Sequence, residues 1–456
     1  MEDKKTVMRT LSAKNRIKSF DEVELGYSDE EALIEASRCL NCQNPRCVKG
    51  CPVNIAIPKF IDAIRNKNLK KAYEIILESS NLPSICGRVC PQERQCEKMC
   101  IKGFKTDAIA IGSLERYVAD YARIHHFDLS KKIKENNIKV AIIGSGPSGL
   151  SCAYHLRCQG YSVTLYEILH KFGGVLTYGI PEFRLPKKIV NEEIDKLKKI
   201  GVNLISDTLI GNTISIKELQ KEYNYIYIGT GAGLPKFMNI PGEDANEVFS
   251  ANEILTRINL MESYQDLSNT PIKRGKIAYV IGGGNVAMDA VRTIKRLGIE
   301  AHLMYRRDEA SLPARKMEVL HAKEEGVIFH FLENPTKIIK DTDNHVLGME
   351  TVDMKIIDDG KEGKKNIVPI NNSKNTIPCD MVVMALGTSP NKTVLNNSDI
   401  STDEKGLIIV ENSKTNLENV YAGGDAVTGA ATVILAMEAG MKAAKEIINY
   451  ENNKRK

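Results

Sequence analysis

The sequence predicts an α/β protein: an α-helical, cysteine-rich N-terminal domain followed by two doubly wound domains. Two observations lead to this prediction. Eight of the 11 cysteines lie between Cys39 and Cys100. A short apolar strand that runs directly into glycines and then into a helical pattern occurs twice, beginning at Ile138 and at Lys276. A strand, a glycine-rich turn and a helix in this order are typical of a Rossmann-like, doubly wound sheet.

Length and charge limit the possible classes. A chain of 456 residues is too long for one hydrophobic core, so we expect two to four domains. The 63 Lys and Arg residues give a net charge of only +5 against 58 Asp and Glu residues, which does not indicate nucleic-acid binding. Since neither an N-terminal apolar stretch nor a long uncharged apolar run is present, we expect no membrane insertion and a cytoplasmic location.

The N-terminal segment is predicted to be helical. Ser28 is a typical helix cap, because three acidic residues and then apolar residues at helical spacing follow it. The cysteines of this segment form two groups, C-x2-C-x4-C-x3-C-P and C-x3-C-P-x4-C-x3-C, made by Cys39, Cys42, Cys47 and Cys51 and by Cys86, Cys90, Cys96 and Cys100.

Such a density of cysteines in a reducing cytosol favours metal or iron-sulfur ligation over disulfides. Iron-sulfur clusters need several thiolates around one inorganic core, and a proline after a ligand cysteine is typical of ferredoxin-like runs. Two structural zinc sites are the alternative, although zinc usually takes two separated C-x2-C pairs and one such pair occurs here. Eight cysteines could supply four thiolates to each of two clusters, and their spacing does not fix the partition.

The first glycine-rich turn, G-S-G-P-S-G, predicts a dinucleotide site. Its glycines permit a tight turn and let a pyrophosphate approach the backbone amides at the helix N-terminus. The next strand ends in Glu167, whose carboxylate suits an adenosine ribose, so the site suits FAD or NAD but not a 2′-phosphate. The predicted binding residues of the turn are Gly144, Gly146, Pro147, Ser148 and Gly149.

The second turn, G-G-G-N-V-A, predicts a second dinucleotide site. Here the following strand ends in Arg306 and Arg307, and two guanidinium groups at that place would bind the additional phosphate of NADP. An ordinary solvated pair of arginines is the alternative. The other residues predicted to bind this cofactor, which we expect to be NADPH, are Gly282, Gly284, Asn285, Val286, Ala287 and Asp289.

Later segments predict how the two doubly wound domains are connected. Residues 340–375 are rich in polar residues among short β-branched runs, which indicates a small antiparallel excursion. Two apolar segments at 380–387 and 420–425 are predicted to return to the first sheet as strands. We therefore expect an iron-sulfur domain at residues 1–135, an FAD-binding domain at 136–255 and 376–456, and an inserted NADPH-binding domain at 256–375.

With these motifs in place, the chain resembles the glutamate synthase small (beta) subunit family over nearly its whole length. The resemblance is carried by both cysteine groups and by the segments at 85–91, 173–187 and 422–426. Residues 16–23 and 26–28 are most similar to one branch of that family. This branch contains the large subunit of NADH-dependent reduced ferredoxin:NADP oxidoreductase and relatives called homotetrameric-type NADPH glutamate synthases or sulfide dehydrogenase subunits.

The resemblance implies two [4Fe-4S] clusters and an FAD site. One cluster would be held by Cys39, Cys42, Cys47 and Cys100. The other would be held by Cys51, Cys90 and Cys96, with Glu115 as candidate fourth ligand and Cys86 as the alternative. The residues expected to contact FAD from outside the first glycine turn are Glu167, Gly174, Gly424, Asp425 and Thr432, and Gly387 is a further predicted cofactor-binding residue.

These predictions together describe an electron-transfer enzyme without a catalytic side chain, because the cofactors carry the chemistry. NADPH would give a hydride to FAD, and FAD would pass single electrons to the clusters. The partner would be a glutamate synthase large subunit or, in the ferredoxin branch, ferredoxin and a second flavoprotein subunit. We expect no glutamine hydrolysis by this chain. A zinc-bearing scaffold that senses NADP is the alternative from a different class.

Overall fold

The fold begins with a helical region that carries the two cysteine groups. The computed structural model describes residues 4–127, 133–265, 267–268, 270–272, 275–358 and 365–454. The N-terminal helices are α1 (Ala13–Arg16), α2 (Asp29–Ser37), α3 (Arg46–Lys49), α4 (Ile57–Arg65), α5 (Leu69–Leu77), α6 (Pro83–Val89) and α7 (Ile111–Ile124).

The predicted cap at Ser28 is confirmed. The Ser28 hydroxyl accepts a hydrogen bond from the Glu31 amide at 3.2 Å, and the Glu31 carboxylate accepts one from the Ser28 amide at 2.7 Å. This reciprocal pair is a capping box, which satisfies two amides that helix geometry leaves unpaired. Helix α2 therefore starts where the local sequence predicts.

The first doubly wound sheet has five parallel strands in the order β15-β4-β1-β2-β3. Four of its strands are buried at nearly every position, as expected for a parallel sheet that is covered on both faces, whereas the edge strand β3 is partly exposed. The elements from residue 139 to 235 are β1 (Lys139–Ile143), α8 (Pro147–Cys158), β2 (Ser162–Tyr166), α9 (Val175–Tyr178), α10 (Lys187–Lys199), β3 (Asn203–Ile205), α11 (Ile216–Glu222), β4 (Tyr225–Ile228) and β5 (Leu234–Pro235).

The second sheet also has five parallel strands, in the order β6-β13-β7-β8-β9. All of them lie in sequence between β4 and β15 of the first sheet, so the second doubly wound unit is inserted into the first, as predicted. Its elements are β6 (Val248–Ser250), α12 (Ala251–Asn259), β7 (Ile277–Ile281), α13 (Asn285–Arg296), β8 (Glu300–Tyr305), α14 (Lys316–Glu324), β9 (Ile328–Phe331) and β13 (Met381–Met384).

One strand assignment was wrong. The segment at 380–387 was predicted to return to the first sheet, but β13 pairs with β6 and β7 in the second. Strand β6 likewise lies before the expected boundary at residue 255. Both errors have one cause: a short buried apolar strand carries no local signal of which sheet it joins.

The remaining elements connect and close the two units. The antiparallel sheet β10-β11-β12 confirms the predicted excursion, and β5 pairs with β14. No helix in the described part of the chain combines the length and the apolar character needed to cross a bilayer. The remaining elements are β10 (Glu333–Lys340), β11 (Val346–Asp358), β12 (Lys365–Pro378), β14 (Thr388–Ser389), β15 (Val420–Ala422), α15 (Asp425–Thr428) and α16 (Val433–Lys454).

Candidate cofactor sites

The first glycine turn lies between β1 and α8, and two of its glycines are required by the protein's own packing. Gly144 has φ +98°, and a Cβ there would lie 2.5 Å from the carbonyl oxygen of Gly229. A Cβ on Gly149 would lie 1.9 Å from the carbonyl oxygen of Gly144. These positions set the tight turn and the close approach of α8 to the sheet, as the motif predicts.

Gly146 and Gly284 differ from those two glycines. Each precedes the first residue of a helix, α8 or α13, with φ of −66° and −85°, which any residue adopts. A Cβ at either position would meet no described protein atom within 4 Å. The fold therefore does not require glycine here, whereas a ligand that approaches the amides at the helix N-terminus does.

Glu167 follows β2 and lies beside the first turn. Its buried carboxylate accepts hydrogen bonds from the Ser145 amide at 2.9 Å and the Ser145 hydroxyl at 2.5 Å, and from the Leu169 amide at 3.1 Å. The Ser145 hydroxyl in turn accepts a hydrogen bond from the Gly173 amide at 2.9 Å. Glu167 thus fixes the turn and the 173–174 segment together; its contact with a ribose stays a prediction.

Two predicted residues from distant segments meet the first turn. A Cβ on Gly174 would lie 2.9 Å from the Gly146 Cα, and a Cβ on Gly424 would lie 2.9 Å from the Ser148 Cβ. Both glycines have positive φ, at +53° and +68°. The structure therefore brings the segments around residues 146, 174 and 424 into one place, as expected of a single cofactor site.

Three further residues were predicted to bind a cofactor, namely Asp425, Thr432 and Gly387. Asp425 begins α15, its carboxylate accepts a hydrogen bond from the Ala431 amide at 3.3 Å, and burial raises its pKa to about 6. The Thr432 hydroxyl accepts one from the Leu435 amide at 3.4 Å at the start of α16. Gly387 instead lies between β13 and β14, where its carbonyl accepts from the Lys236 amide at 3.1 Å.

The second turn lies between β7 and α13. A Cβ on Gly282 would lie 2.4 Å from the carbonyl oxygen of Ala385, so this glycine is a packing requirement. The Asn285 side-chain oxygen accepts a hydrogen bond from the Arg315 amide at 2.9 Å. Val286 is partly exposed and Ala287 is fully buried. The turn thus has the same arrangement as the first one.

Asp289 has a role that the sequence did not predict. Both oxygens of its buried carboxylate accept from Arg184 Nη1 at 2.7 Å. Arg184 Nε also lies 3.1 Å from a Glu318 oxygen. The Asp289 carboxylate thus forms an ion pair between the two doubly wound units, and its contact with the cofactor stays a prediction.

Arg306 and Arg307 follow the last residue of β8, and both are exposed. In the part of the chain that the structure describes, no carboxylate forms an ion pair with either guanidinium. Their position beyond the second turn agrees with the predicted phosphate site. Binding of a 2′-phosphate there stays a prediction.

The first cysteine group surrounds one small cavity. Cys39, Cys42, Cys47 and Cys100 all line it, with apolar walls that include Ile57. Burial is the main cause that raises the pKa of Cys47 to about 12, and the neighbouring Cys100 and Cys39 sulfurs contribute to the same rise. A positive centre favours the thiolate form of such thiols, and an iron-sulfur cluster supplies one.

The second group lies deeper, around Glu115. Burial is the main cause that raises the pKa of Cys51, to about 11, and of Cys96. For Cys90 the main cause is a hydrogen bond with Cys86, and burial comes second. The Glu115 carboxylate raises the pKa of all three thiols, so it lies among them. Burial raises the pKa of Glu115 itself to about 8, and its Oε1 has no hydrogen-bond partner within the described residues. An unpartnered buried carboxylate oxygen is expected of a ligand position.

Cys86 lies beside the same group. It is fully buried, and its sulfur lies 3.3 Å from the Met437 sulfur on α16. The sequence left Glu115 and Cys86 as alternatives for the fourth ligand of the second cluster. The structure places both near Cys90.

Zinc and iron-sulfur clusters both take several thiolates, and a zinc ion binds its four ligands at about 2.0–2.3 Å. Across the residues that the structure describes, no three His, Cys, Asp or Glu side chains converge closely enough to hold one metal ion.

Sequence reasoning missed the contacts that join the second unit to the cysteine-rich region. The Arg315 guanidinium donates to the Arg88 carbonyl oxygen at 3.0 Å and to the Gln92 side-chain oxygen at 3.1 Å. Arg94 donates to the Ala314 carbonyl oxygen at 3.1 Å. These bonds connect the loop after Arg307 to the segment around Cys90, and nothing in the local pattern at either place signals them.

Comparisons with known proteins support the two-part organisation. The family described as dihydropyrimidine dehydrogenase domain II, 4Fe-4S cluster, matches residues 16–127, and the pyridine nucleotide-disulphide oxidoreductase family matches residues 138–440. The solved structure of Mycobacterium tuberculosis FprA in complex with NADPH aligns with a TM-score of 0.58 at 18% identity, over 70% of this chain and 86% of that one. That likeness confirms the predicted fold.

Relatives that match over nearly the whole chain identify the family. The glutamate synthase [NADPH] small chain of Escherichia coli strain K12 is 32% identical over 94% of this chain and 94% of its own. The NADPH-Fe(3+) oxidoreductase subunit beta of Geobacter sulfurreducens is 33% identical over 96% of this chain and 68% of its own. The predicted resemblance is confirmed: the chain belongs to the glutamate synthase small-chain family, a group of pyridine nucleotide-disulphide oxidoreductases with an N-terminal 4Fe-4S domain.

Proposed function

We propose that the protein is an NADPH-dependent FAD and iron-sulfur oxidoreductase that serves as the electron-transfer subunit of a larger enzyme of the glutamate synthase type. The observation that carries this proposal is the pair Gly146 and Gly284. Each leaves open space above a helix N-terminus that the fold itself does not require. Two such places in one chain provide two dinucleotide sites.

FAD occupies the first site in this proposal. The amides at the N-terminus of α8 would hold its pyrophosphate, and the Glu167 carboxylate would accept a hydrogen bond from its ribose. Gly174, Gly424 and Asp425 surround the same turn. Asp425 is the first residue of α15, whose N-terminal amides would point at the phosphate chain.

NADPH occupies the second site. The helix N-terminus of α13 faces its pyrophosphate, and Arg306 and Arg307 bind the 2′-phosphate, which selects NADPH over NADH. When bound, these groups would supply hydride transfer between nicotinamide and flavin and one-electron transfer through the clusters. The protein contributes position and dry surroundings, and no side chain acts as nucleophile or general base.

Two [4Fe-4S] clusters complete the proposed path. Cys39, Cys42, Cys47 and Cys100 hold the first, and Cys51, Cys90, Cys96 and Glu115 hold the second. Glu115 is preferred to Cys86 because the sulfur of Cys86 already contacts Met437, whereas Glu115 Oε1 is buried without a partner. The contact between Cys86 and Met437 brings the second cluster next to the helix that packs on α8.

The proposed domains follow the sheets. The iron-sulfur domain covers residues up to about 135, the NADPH domain includes β6 and β13, and the FAD domain includes β1 to β4 and β15.

We place the protein in the cytoplasm, with a glutamate synthase large subunit as partner. The second candidate, suggested by residues 16–28, is the large subunit of a ferredoxin:NADP oxidoreductase that works with ferredoxin and a second flavoprotein subunit.

A pair of alanine variants tests the proposal. Purified protein with bound FAD and iron should reduce an artificial dye with NADPH. Gly146→Ala should fold, because its Cβ meets no described atom, but should lose FAD and dye reduction. Gly284→Ala should keep FAD and raise the KM for NADPH at least about tenfold, since a methyl group blocks the pyrophosphate. Each variant is the control for the other, and wild-type levels of FAD and of KM in both would refute the two-site assignment.

A further inference from the structure

Arg315 joins the second glycine turn to the segment that carries Cys90. Its main-chain amide donates to the Asn285 side-chain oxygen at 2.9 Å, and the amide of the preceding Ala314 donates to the Gly283 carbonyl oxygen at 3.2 Å. The two acceptors belong to the turn and to the first residue of α13. The main chain at Arg315 is therefore fixed at the proposed NADPH site.

The Arg315 side chain contacts the cysteine-rich region on both sides of Cys90. Its guanidinium donates to the Arg88 carbonyl oxygen at 3.0 Å and to the Gln92 side-chain oxygen at 3.1 Å. Arg88 lies two positions before Cys90 in the sequence, and Gln92 lies two positions after it. The guanidinium is largely buried, with a side-chain exposure of 12%. A positive charge is thus held beside a proposed ligand of the second cluster.

Gln92 keeps the guanidinium in this place. Its side-chain nitrogen donates to the Cys86 and Gly87 carbonyl oxygens, each at 3.3 Å. Gln92 is buried and packs against Gly112 of α7, where a Cβ would clash with the Gln92 amide group. This acceptor of the guanidinium is therefore fixed between α6 and α7, the helices that carry Cys86 and Glu115.

The positive charge of Arg315 is only partly balanced. Glu93 forms an ion pair with it, but the Glu93 Oε2 lies 3.7 Å from the Arg315 Nε, beyond hydrogen-bond distance, and the Glu93 side chain is 29% exposed to water. A hydrogen bond with Cys86 and burial raise the pKa of Cys90, and the Arg315 charge opposes that rise. The guanidinium therefore favours negative charge on the second cysteine group.

We propose that Arg315 is a positioning residue whose guanidinium raises the reduction potential of the second cluster. This role rests on the proposed function, since it requires a redox-active cluster at Cys90. One added electron makes a [4Fe-4S] cluster more negative by one charge, so a fixed guanidinium beside the cluster stabilises its reduced form. The effect is the same whether Glu115 or Cys86 is the fourth ligand, because Arg315 binds both flanks of Cys90.

Reduction potentials test this role directly. Anaerobic redox titration with low-temperature EPR measures both clusters in the holoprotein, and the signal that is lost in Cys96→Ala belongs to the second cluster. Arg315→Gln should lower the equilibrium constant for reduction of the second cluster by about tenfold, which corresponds to about 59 mV for one electron. Arg315→Lys keeps the charge without the paired hydrogen bonds, so it should restore about half of this shift or more. The first cluster is the internal control and should change by less than about twofold.

Two further variants control for folding. Arg16 is another buried arginine between the N-terminal region and the second doubly wound unit, and its Nη1 lies 2.6 Å from a Glu324 oxygen on α14. Among the described residues it makes no hydrogen bond to the segment around Cys90, so Arg16→Gln should change neither cluster by more than about twofold. Glu93→Gln leaves the Arg315 charge unopposed and should raise the equilibrium constant of the second cluster by about threefold. Iron content is measured in every variant, and Glu93→Gln carries the test if Arg315→Gln loses iron.

The outcomes separate this role from the proposed function. Wild-type protein without iron or cluster signals would overturn the proposed function. Intact clusters with wild-type potentials in both Arg315→Gln and Glu93→Gln would overturn the role of Arg315 alone. Equal downward shifts in Arg315→Gln and Arg315→Lys, or in Arg315→Gln and Arg16→Gln, would show that the arginine acts through packing rather than charge, and would also overturn it.

Discussion

Arg184 donates to both carboxylate oxygens of Asp289 at 2.7 Å. Arg184 lies between α9 and α10 of the FAD-binding unit, and Asp289 lies in α13, the helix that begins at the second glycine turn. Their side chains are 7% and 5% exposed. The helix proposed to bind NADPH is therefore held directly against the unit proposed to bind FAD, which favours one fixed orientation of the two cofactors.

Breaking this pair should be costly. Arg184→Met leaves Asp289 and part of Glu318 buried without their cation, and should destabilise the protein by about 3–5 kcal/mol. The partly exposed pair Arg257 and Glu253 is the matched control, and Arg257→Met should cost less than about 1 kcal/mol. Apparent Tm of the holoproteins measures the difference. Similar Tm changes in the two variants would contradict a structural role for the buried pair.

The preference for NADPH should depend on the arginines after β8. Arg306→Ser/Arg307→Ser removes two charged donors to the 2′-phosphate, and should raise the KM for NADPH between about tenfold and a hundredfold. NADH has no 2′-phosphate, so its kinetic constants serve as the internal control and should change little. Steady-state dye reduction with both nucleotides measures this, and parallel losses with NADPH and NADH would reject the assignment.

Iron content should distinguish the two candidate ligands of the second cluster. Glu115→Ala should lower iron from about eight to about four atoms per chain, because one [4Fe-4S] cluster loses its fourth ligand. Cys86→Ala should keep all the iron, since the Cys86 sulfur packs against Met437. Iron analysis and low-temperature EPR of both proteins provide the measurement. Loss of a cluster in Cys86→Ala with normal iron in Glu115→Ala would exchange the two roles.

A histidine in α8 should make stability depend on pH. Burial, assisted by the nearby charge of Lys445, lowers the pKa of His155 from 6.5 to about 4. The unfolded chain binds a proton at this residue below pH 6.5 and the folded chain does not, so stability is lost as pH falls from about 6.5 toward 4. His155→Phe should remove up to about 2 kcal/mol of that loss at pH 5.

The measurement is the apparent Tm between pH 7 and pH 5. The exposed His126, which has positive φ, can be replaced by Asn as a control, because asparagine tolerates that backbone conformation. His126→Asn should keep the pH dependence of the wild type. A His155→Phe curve that is parallel to the wild-type curve would show that His155 is not the titrating group.

Local patterns predicted the features that depend on neighbouring residues. The cap at Ser28, the two strand-turn-helix units and the packing glycines Gly144 and Gly149 all follow from short-range geometry, and the structure has them. The antiparallel excursion was also predicted, since alternating β-branched and polar residues carry their own period.

Features that depend on distant partners could not be predicted in the same way. The apolar sequence of strand β13 suits the interior of either sheet, so it does not indicate which sheet the strand joins. Asp289 resembles a ligand-facing acid until Arg184, 105 residues away, is placed beside it. The connection of Arg315 to the segment around Cys90 likewise depends on tertiary contact. The apolar periodicity of the local sequence gives no indication of any of these contacts.

The central claim is that cysteines near the N-terminus hold redox-active iron within reach of a bound flavin. The most direct test is analysis of iron and acid-labile sulfide in anaerobically purified protein. Two clusters predict about eight iron and about eight sulfide per chain, together with bound FAD. Protein that contains FAD and stoichiometric zinc, but neither iron nor sulfide, would contradict the account.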